Sequence, residues 1–292
     1  MSLAPVVEEA IAAAGLDSAT IERLARAALE EDLAGGVDVT TLSTVPEGHR
    51  STADFVVKES GVIAGLPAAM AVLDIQVGET LTARTTDGNT VQAGDIVLSV
   101  SGPTREILTA ERTALNILCH LSGVASTTAA WVKAVEGTGT VVRDTRKTTP
   151  GLRSLEKYAV RAGGGKNHRM GLNDQALIKD NHLVVAGGVG KALDAVRNAY
   201  PGLIYEVECD TVAQVEEAIE AGAALILLDN MSLADTRKCV ELAAGRSQTE
   251  ASGGLTLGRA REVAETGVDF LAVGALTHSA AALDISLEVR AA

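Results

Sequence analysis

The sequence predicts an α/β chain, a βα barrel preceded by a small α+β domain, and three observations carry that reading. From about Thr140 onward, strand-like and helix-like segments alternate. Such alternation implies a parallel sheet joined by right-handed crossovers. The strand-like segments are nearly continuous apolar runs, as in "ALILLDNM", which implies burial on both faces. Nearly every one of them ends in polar residues or glycine. A closed or nearly closed barrel fits these features best, because barrels gather their functional residues at the C-terminal strand ends. A doubly wound open sheet is the alternative. The length of 292 residues suits a barrel carrying one extra domain.

The elements follow in chain order. Ser18 reads as an N-cap, and Ile21, Leu24, Ala28 and Leu29 then fall at helical spacing. "ADFVVKES", "GVIAGL" and "IVLSVSG" read as short strands, with turns in "TTDGNT" and "QAGD". The segment "TREILTAERTALNILCHLSGVASTTAAWVKAVEG" reads as mostly helical and as the passage between domains. The barrel strand candidates are "TVVRDTRK", "ALIKDNH", "LIYEVECD", "ALILLDNM", "TEASGG" and "VDFLAVGA". Helical stretches such as "TVAQVEEAIEAGA" and "LADTRKCVELAAG" lie between them.

Composition narrows the function classes. Hydrophobic residues make up 47% and aromatic residues only 2%, so aliphatic side chains must fill the core. The net charge of -13 argues against general binding to nucleic acid or anionic lipid. Three scattered cysteines, Cys119, Cys209 and Cys239, follow no metal-ligand spacing and suit a reducing compartment. The N-terminal stretch has no basic segment followed by an apolar one, and no apolar run is long enough to span a bilayer. These features predict a soluble cytoplasmic protein.

Positive charge is nevertheless concentrated between Arg143 and Lys179. Two unit charges about 4 Å apart repel by roughly 4 kcal/mol at an effective dielectric near 20. A mouth gathering Arg146, Lys147, His168, Arg169 and Lys179 is therefore expected to hold a small anion. On a strand, the adjacent Arg146 and Lys147 would point to opposite faces. Lys157, Arg161 and Lys166 read equally well as a solvated helix face with surface ion pairs. In "YEVECD", Glu206, Glu208 and Asp210 share one side of a buried strand and need partners. Glu208 and Asp229, at the ends of two strand candidates, suit a hard divalent cation with water among its ligands, or a salt bridge to the nearby cations. "EASGGL" and "AVGALTHS" follow strands and precede helices, where backbone N–H groups cradle phosphate. His278 lies just past the second of these loops, whereas His49, His120 and His182 show no obvious partners.

"ERTALNILCHLSG", "DTRKTTPGLRSLEKYAVRAGGGKNHRMGL", "ALIKDNH", "EVE", "LLDN" and "ASGG" occur in that order. In these motifs, over most of its length, the chain resembles the quinolinate phosphoribosyltransferases, also called carboxylating nicotinate-nucleotide pyrophosphorylases. The resemblance implies Mg²⁺-dependent phosphoribosyl transfer from phosphoribosyl pyrophosphate (PRPP) to quinolinate with decarboxylation. The products would be nicotinate mononucleotide, pyrophosphate and carbon dioxide, in de novo NAD biosynthesis. It also implies an incomplete βα barrel over 119–275 and an N-terminal α/β sandwich-like domain over 1–118, completed by 276–292. A homodimer with shared active sites, or a higher oligomer, is implied as well.

By the same resemblance, Arg112 reaches quinolinate from the partner subunit. Arg146, His168, Arg169 and Lys179 look like the rest of the dicarboxylate site. Lys147, with Thr145 beside it, looks like a catalytic cation near the PRPP phosphates. Glu208 and Asp229 look like the carboxylates serving the ribose and Mg²⁺–pyrophosphate. Ser252, Gly253, Gly254, Gly274 and His278 look like the 5′-phosphate end. The "CH" at Cys119 and His120 is not part of the motif, and no role depends on it. Two other readings are a barrel aldolase with Lys179 as Schiff-base lysine and an anion-binding paralogue without activity. The first predicts a borohydride-trapped adduct, and the second predicts a changed set at Arg112, Arg146, His168 and Arg169.

Overall fold

The computed structural model describes residues 3–291, and the chain divides into two compact units. The first begins with helices α1 (Pro5–Ala13), α2 (Ser18–Leu33) and α3 (Val39–Thr44). Strand β1 (Arg50–Val57), the short β2 (Gly61–Val62) and helix α4 (Leu66–Val77) follow. Then come β3 (Thr80–Ala83), β4 (Thr90–Val91), β5 (Ile96–Pro103) and the long helix α5 (Thr104–Ala134). Helix α2 is capped one residue earlier than expected: the Asp17 side chain, not that of Ser18, accepts from the Thr20 N–H at 2.8 Å. A carboxylate is as good a cap as a hydroxyl and also favours the positive helix end. Only Gly61 and Val62 of the "GVIAGL" run are strand. From Leu66 the chain is helix α4, buried on all sides from Leu66 to Leu73.

Four strands form an antiparallel sheet in the order β12-β1-β5-β3, where β12 is Ile285–Ala291. The last strand thus pairs with the first, Ser51 opposite Ala291 and Val57 opposite Ile285. Residues 154–164 and 280–292 also belong to this unit, and the division falls inside α5, between Thr127 and Thr128.

The second unit carries the alternating elements. These are β6 (Val141–Arg143), α6 (Arg153–Ala162), β7 (Ala176–Ile178), α7 (Asp180–Ala186), α8 (Val189–Ala199) and β8 (Tyr205–Cys209). After them come α9 (Val212–Glu220), β9 (Leu225–Asp229), α10 (Leu233–Ala243), β10 (Gln248–Ser252), α11 (Ala260–Ala264), β11 (Phe270–Ala272) and α12 (Ala275–His278). Every barrel strand candidate contains a strand. All six are parallel, in the order β6-β11-β10-β9-β8-β7. The first strand pairs with the last while β6 and β7 are not paired. A curled, incompletely closed barrel has this order, and a doubly wound sheet does not. Although α6 lies between β6 and β7 in sequence, nearly all of it, from Ser154, packs in the first unit. Lys157 on α6 is completely buried, so the solvated-face reading fails for it. Among the described residues no helix is long and apolar enough to cross a membrane.

Candidate active site

A cavity of about 580 Å³ opens at the C-terminal ends of the second unit's strands. It is lined by Thr145, Arg146, Lys147, His168, Arg169, Lys179, Glu208, Asp229, Ser252, Gly253 and Gly254, all singled out from sequence. Leu177, Leu227, Glu250 and Ala272 line it too, and were not, while Asn230 does so from the polar strand end it shares with Asp229. Arg112 lies exposed on α5 in the first unit and is not among the lining residues.

The cations come from the stretch that follows β6. That strand ends at Arg143, so Arg146 and Lys147 sit on irregular backbone, free of the alternation of a strand, and both line the cavity as expected of the mouth. Asp144, completely buried, accepts from the His168 N–H at 2.8 Å and from Asn167 Nδ2 at 2.5 Å. It thereby fastens the glycine-rich stretch before His168 to the end of β6. The Lys147 N–H donates to Thr145 Oγ1 at 3.0 Å, and the Lys147 carbonyl accepts from Thr277 Oγ1 at 2.8 Å. Lys147 passes so close to Gly274 that a Cβ there would lie 2.9 Å from its Cδ. Gly274 and His278, whose Nδ1 lies 2.6 Å from Ser279 Oγ, are therefore the layer next to Lys147 rather than part of the cavity wall.

Arg146 and Arg169 repel one another. Burial first, and Arg146 second, hold the Arg169 guanidinium below its ordinary pKa. Arg169 Nη1 donates to the Gln175 carbonyl at 3.1 Å. Arg146 Nε is buried and has no hydrogen-bond partner among the described residues. An unpaired buried donor on a charged fork is costly unless a ligand oxygen meets it.

Beneath this pair lies a cluster that sequence reasoning saw only in part. On β8, Glu206 and Glu208 share one face, and Val207 and Cys209, both completely buried, share the other. Glu206 Oε2 accepts from His168 Nε2 at 2.8 Å and from Gln175 Nε2 at 3.1 Å. Glu250 on β10 accepts from Arg143 Nη1 at 2.6 Å, and its Oε1 lies 3.4 Å from His168 Nε2. Burial disfavours a charged imidazole, but the hydrogen bond to Glu206 and the negative charge of Glu250 and Glu206 outweigh it and raise His168 to about 9. Burial also pushes the Glu206 carboxyl up. His168 Nδ1 meanwhile accepts the Arg169 N–H at 2.7 Å. That bond places the ring hydrogen on Nε2 and opposes a second one on Nδ1. These three side chains lie close enough to surround a metal ion. The same bond argues against one, because Nε2 then has no lone pair to give. Both ring nitrogens are engaged within the chain, so His168 faces the cavity as a support under Arg169.

The carboxylate side is simpler. Lys179 Nζ and Glu208 Oε2 form an ion pair. Asp229 Oδ2 accepts from Asn230 Nδ2 at 2.8 Å. Beyond it, Gly253 and Gly254 have φ of +88° and +57°, a left-handed pair at the end of β10 that turns backbone towards the cavity. Glu250 was legible in principle: it is a carboxylate in the interior of a strand candidate, as Glu206 is, and such a group needs a partner if buried. Asn230 was legible only as part of a polar strand end.

Comparison with known proteins agrees with this geometry. Residues 38–122 match the N-terminal domain of quinolinate phosphoribosyl transferase and residues 124–288 match its C-terminal domain. The nicotinate-nucleotide pyrophosphorylase [carboxylating] of Mycobacterium leprae is 51% identical over 270 residues, covering 90% of this chain and 95% of that protein. A probable enzyme of the same name from Bacillus subtilis is 40% identical, covering 89% and 90%. The crystal structure of NadC from Streptococcus pyogenes superposes with a TM-score of 0.90 at 41% identity, covering 94% of this chain and 98% of that one. With both domains matched in order and relatives this similar along nearly their whole length, the chain belongs to the quinolinate phosphoribosyltransferase family.

Proposed function

We propose that the chain is a nicotinate-nucleotide pyrophosphorylase (carboxylating), which transfers phosphoribosyl from PRPP to quinolinate and releases pyrophosphate and carbon dioxide. The family supports this reaction, a step of de novo NAD biosynthesis. The observation that carries it to the cavity is the Arg146–Arg169 pair, two mutually repelling forks of which one keeps a buried unpaired donor. Planar forks suit carboxylates, and a dicarboxylate relieves the repulsion of both.

In this reading Arg146 and Arg169 grip the two carboxylates while His168 holds Arg169 from below. Lys179 acts as a mobile charge tied to Glu208, and Lys147 serves the PRPP phosphates. The pyridine nitrogen attacks C1 of the ribose as pyrophosphate leaves, and Glu208 and Asp229 stabilise positive charge developing on the sugar. The pyridinium so formed is an electron sink into which the adjacent carboxylate is lost as carbon dioxide. Ser252, Gly253 and Gly254 present backbone to the 5′-phosphate, with Gly274 and His278 behind Lys147. No covalent enzyme intermediate is required, so Lys179 is not a Schiff-base lysine.

Glu208 and Asp229 also fit Mg²⁺. Each has one oxygen engaged, by Lys179 and by Asn230. No third His, Cys, Asp or Glu joins them in a ligand cluster among the described residues. Such a sparse set suits an ion that fills its shell with water and phosphate oxygens. When bound, Mg²⁺ would neutralise charge on the departing pyrophosphate. Arg112 is assigned to the quinolinate site of a second copy, making a homodimer with shared sites. Scattered unpaired cysteines support a reducing cytoplasm. The decisive experiment measures pyrophosphate and carbon dioxide together from quinolinate, PRPP and Mg²⁺. Equal amounts are expected, and PRPP-dependent turnover without carbon dioxide would overturn the assignment.

A further inference from the structure

Asn230 stands at the junction of two strand ends. It follows Asp229, the last residue of β9, and its N–H donates to the Ser252 carbonyl at the end of β10 at 2.9 Å. Its φ is +54°, and among the described residues only Ala34 shares such a left-handed backbone without being glycine. Asparagine tolerates this region better than most side chains. Its amide touches both neighbours. Nδ2 donates to Asp229 Oδ2 at 2.8 Å, an orientation fixed by chemistry, since a carboxylate can only accept there. Oδ1 lies over Gly253, where a Cβ would come within 2.2 Å of it. Gly253 is thus glycine for two reasons, its backbone angle and the asparagine occupying its side-chain position.

From these contacts we propose that Asn230 is a positioning residue. It holds the Asp229 carboxylate at a fixed distance from the turn at Gly253 and Gly254. This inference rests on the phosphoribosyl transfer reading above. There, Asp229 serves the ribose and Mg²⁺–pyrophosphate end of PRPP, and the glycine turn serves its 5′-phosphate. PRPP spans both groups, so their separation is part of its recognition. Quinolinate, held by Arg146 and Arg169, does not depend on that separation. Asn230 lines the cavity, but its amide is turned to Asp229 and Gly253, and it acts through them.

The test uses the full chain and two variants with opposite side effects. Asn230→Gly accepts the left-handed backbone without strain and removes the amide. Asn230→Asp keeps the size and the backbone tolerance but replaces the donor to Asp229 with an acceptor. Both are expected to weaken PRPP, measured with Mg²⁺, by about tenfold or more, the loss of one charge-assisted bond. Calorimetry of quinolinate alone should be unchanged. A purely structural role would weaken both ligands alike or neither, and either result overturns the proposal.

The packing half is read by thermal unfolding without ligand. Gly253→Ala is expected to lower the unfolding temperature strongly in the native background and much less alongside Asn230→Gly, where the obstructing amide is gone. Equal losses in both backgrounds would remove the Asn230–Gly253 contact from the argument and overturn the proposal. If the unmodified chain produced no pyrophosphate, the reaction would fall, and with it the ligand assigned here. The unfolding cycle would still report the contact independently.

Discussion

Two buried polar constellations, one in each unit, are built on opposite plans. In the first unit Asp87 receives three donors: Gly65 N–H at 2.8 Å, Leu66 N–H at 3.3 Å and Tyr158 Oη at 2.7 Å. It closes the start of α4 and ties it to α6, and both of its oxygens are engaged. Around the cavity of the second unit, by contrast, Arg146 Nε, Glu206 Oε1 and Glu250 Oε1 are buried without a hydrogen bond among the described residues. Within the same described residues, Ser286 Oγ in β12 is the one such atom in the first unit. A carboxylate with both oxygens bonded stabilises a fold, whereas a buried, unsatisfied charged donor costs stability and persists where a ligand oxygen completes it. The first constellation holds the chain together, and in the second Arg146 keeps a donor that an anionic substrate can meet.

The sharpest way to break this comparison is Asp229→Ala. We expect turnover to fall by about a hundredfold or more, since the group faces charge that develops in the transition state. A Mg²⁺ titration should shift, and binding of quinolinate alone should not. Near-native turnover with an unchanged metal profile would remove the carboxylate from the reaction.

Next come Arg146→Ala and Arg169→Ala. Each should weaken quinolinate by about ten- to a hundredfold and leave PRPP nearly untouched. Calorimetry with each ligand separately reads this, and equal losses would sink the dicarboxylate assignment. Removing one of two repelling cations should not lower the unfolding temperature of Arg146→Ala. A large drop would place Arg146 with the structural groups instead.

A mixing experiment addresses the shared site. Arg112→Ala and Lys147→Ala, each inactive, are combined and allowed to exchange subunits. With random exchange about half of the dimers are mixed, and about a quarter of all sites recover if Arg112 serves the partner. No recovery after proven exchange would return Arg112 to its own subunit's site or to none.

The smallest effect on function belongs to Asp87→Ala. It leaves three donors short of an acceptor, so we expect about 1–3 kcal/mol of lost stability. Affinities for both ligands should be unchanged. A ligand-specific loss would erase the distinction between the two constellations.

Much of the barrel was legible because parallel strands announce themselves twice, by apolar runs and by polar ends. Most of the cavity's charged residues were legible for the same reason, since strand ends converge, whereas Glu250, inside β10, was not. What stayed hidden depended on contacts between distant segments. Helix α4 has apolar residues all round, so it shows no helical period. Asn230 owes its importance to Gly253, which follows the end of a different strand, β10. The burial of Lys157 follows from where α6 packs, and its own charge pattern suggested the reverse. Arg146 and Lys147 can both reach the expected mouth because β6 ends at Arg143, before the alternation of a strand would part them.

The return of the chain to its first unit carries a consequence for how the molecule is made. Strand β1 pairs with β12, and Asp54 meets Arg290 across 236 positions of sequence. Helix α6 makes a second return from the middle of the barrel. Neither unit is therefore a continuous stretch that could be cut out and expressed alone. During synthesis, one edge of β1 must stay unpaired until nearly the whole barrel has emerged, and exposed strand edges invite association with other chains. Long loops must close before these contacts form, which slows folding. Early in its life the molecule is thus most exposed to aggregation at the antiparallel sheet of its first unit, and a chaperone that shields β1 would act on yield without touching turnover.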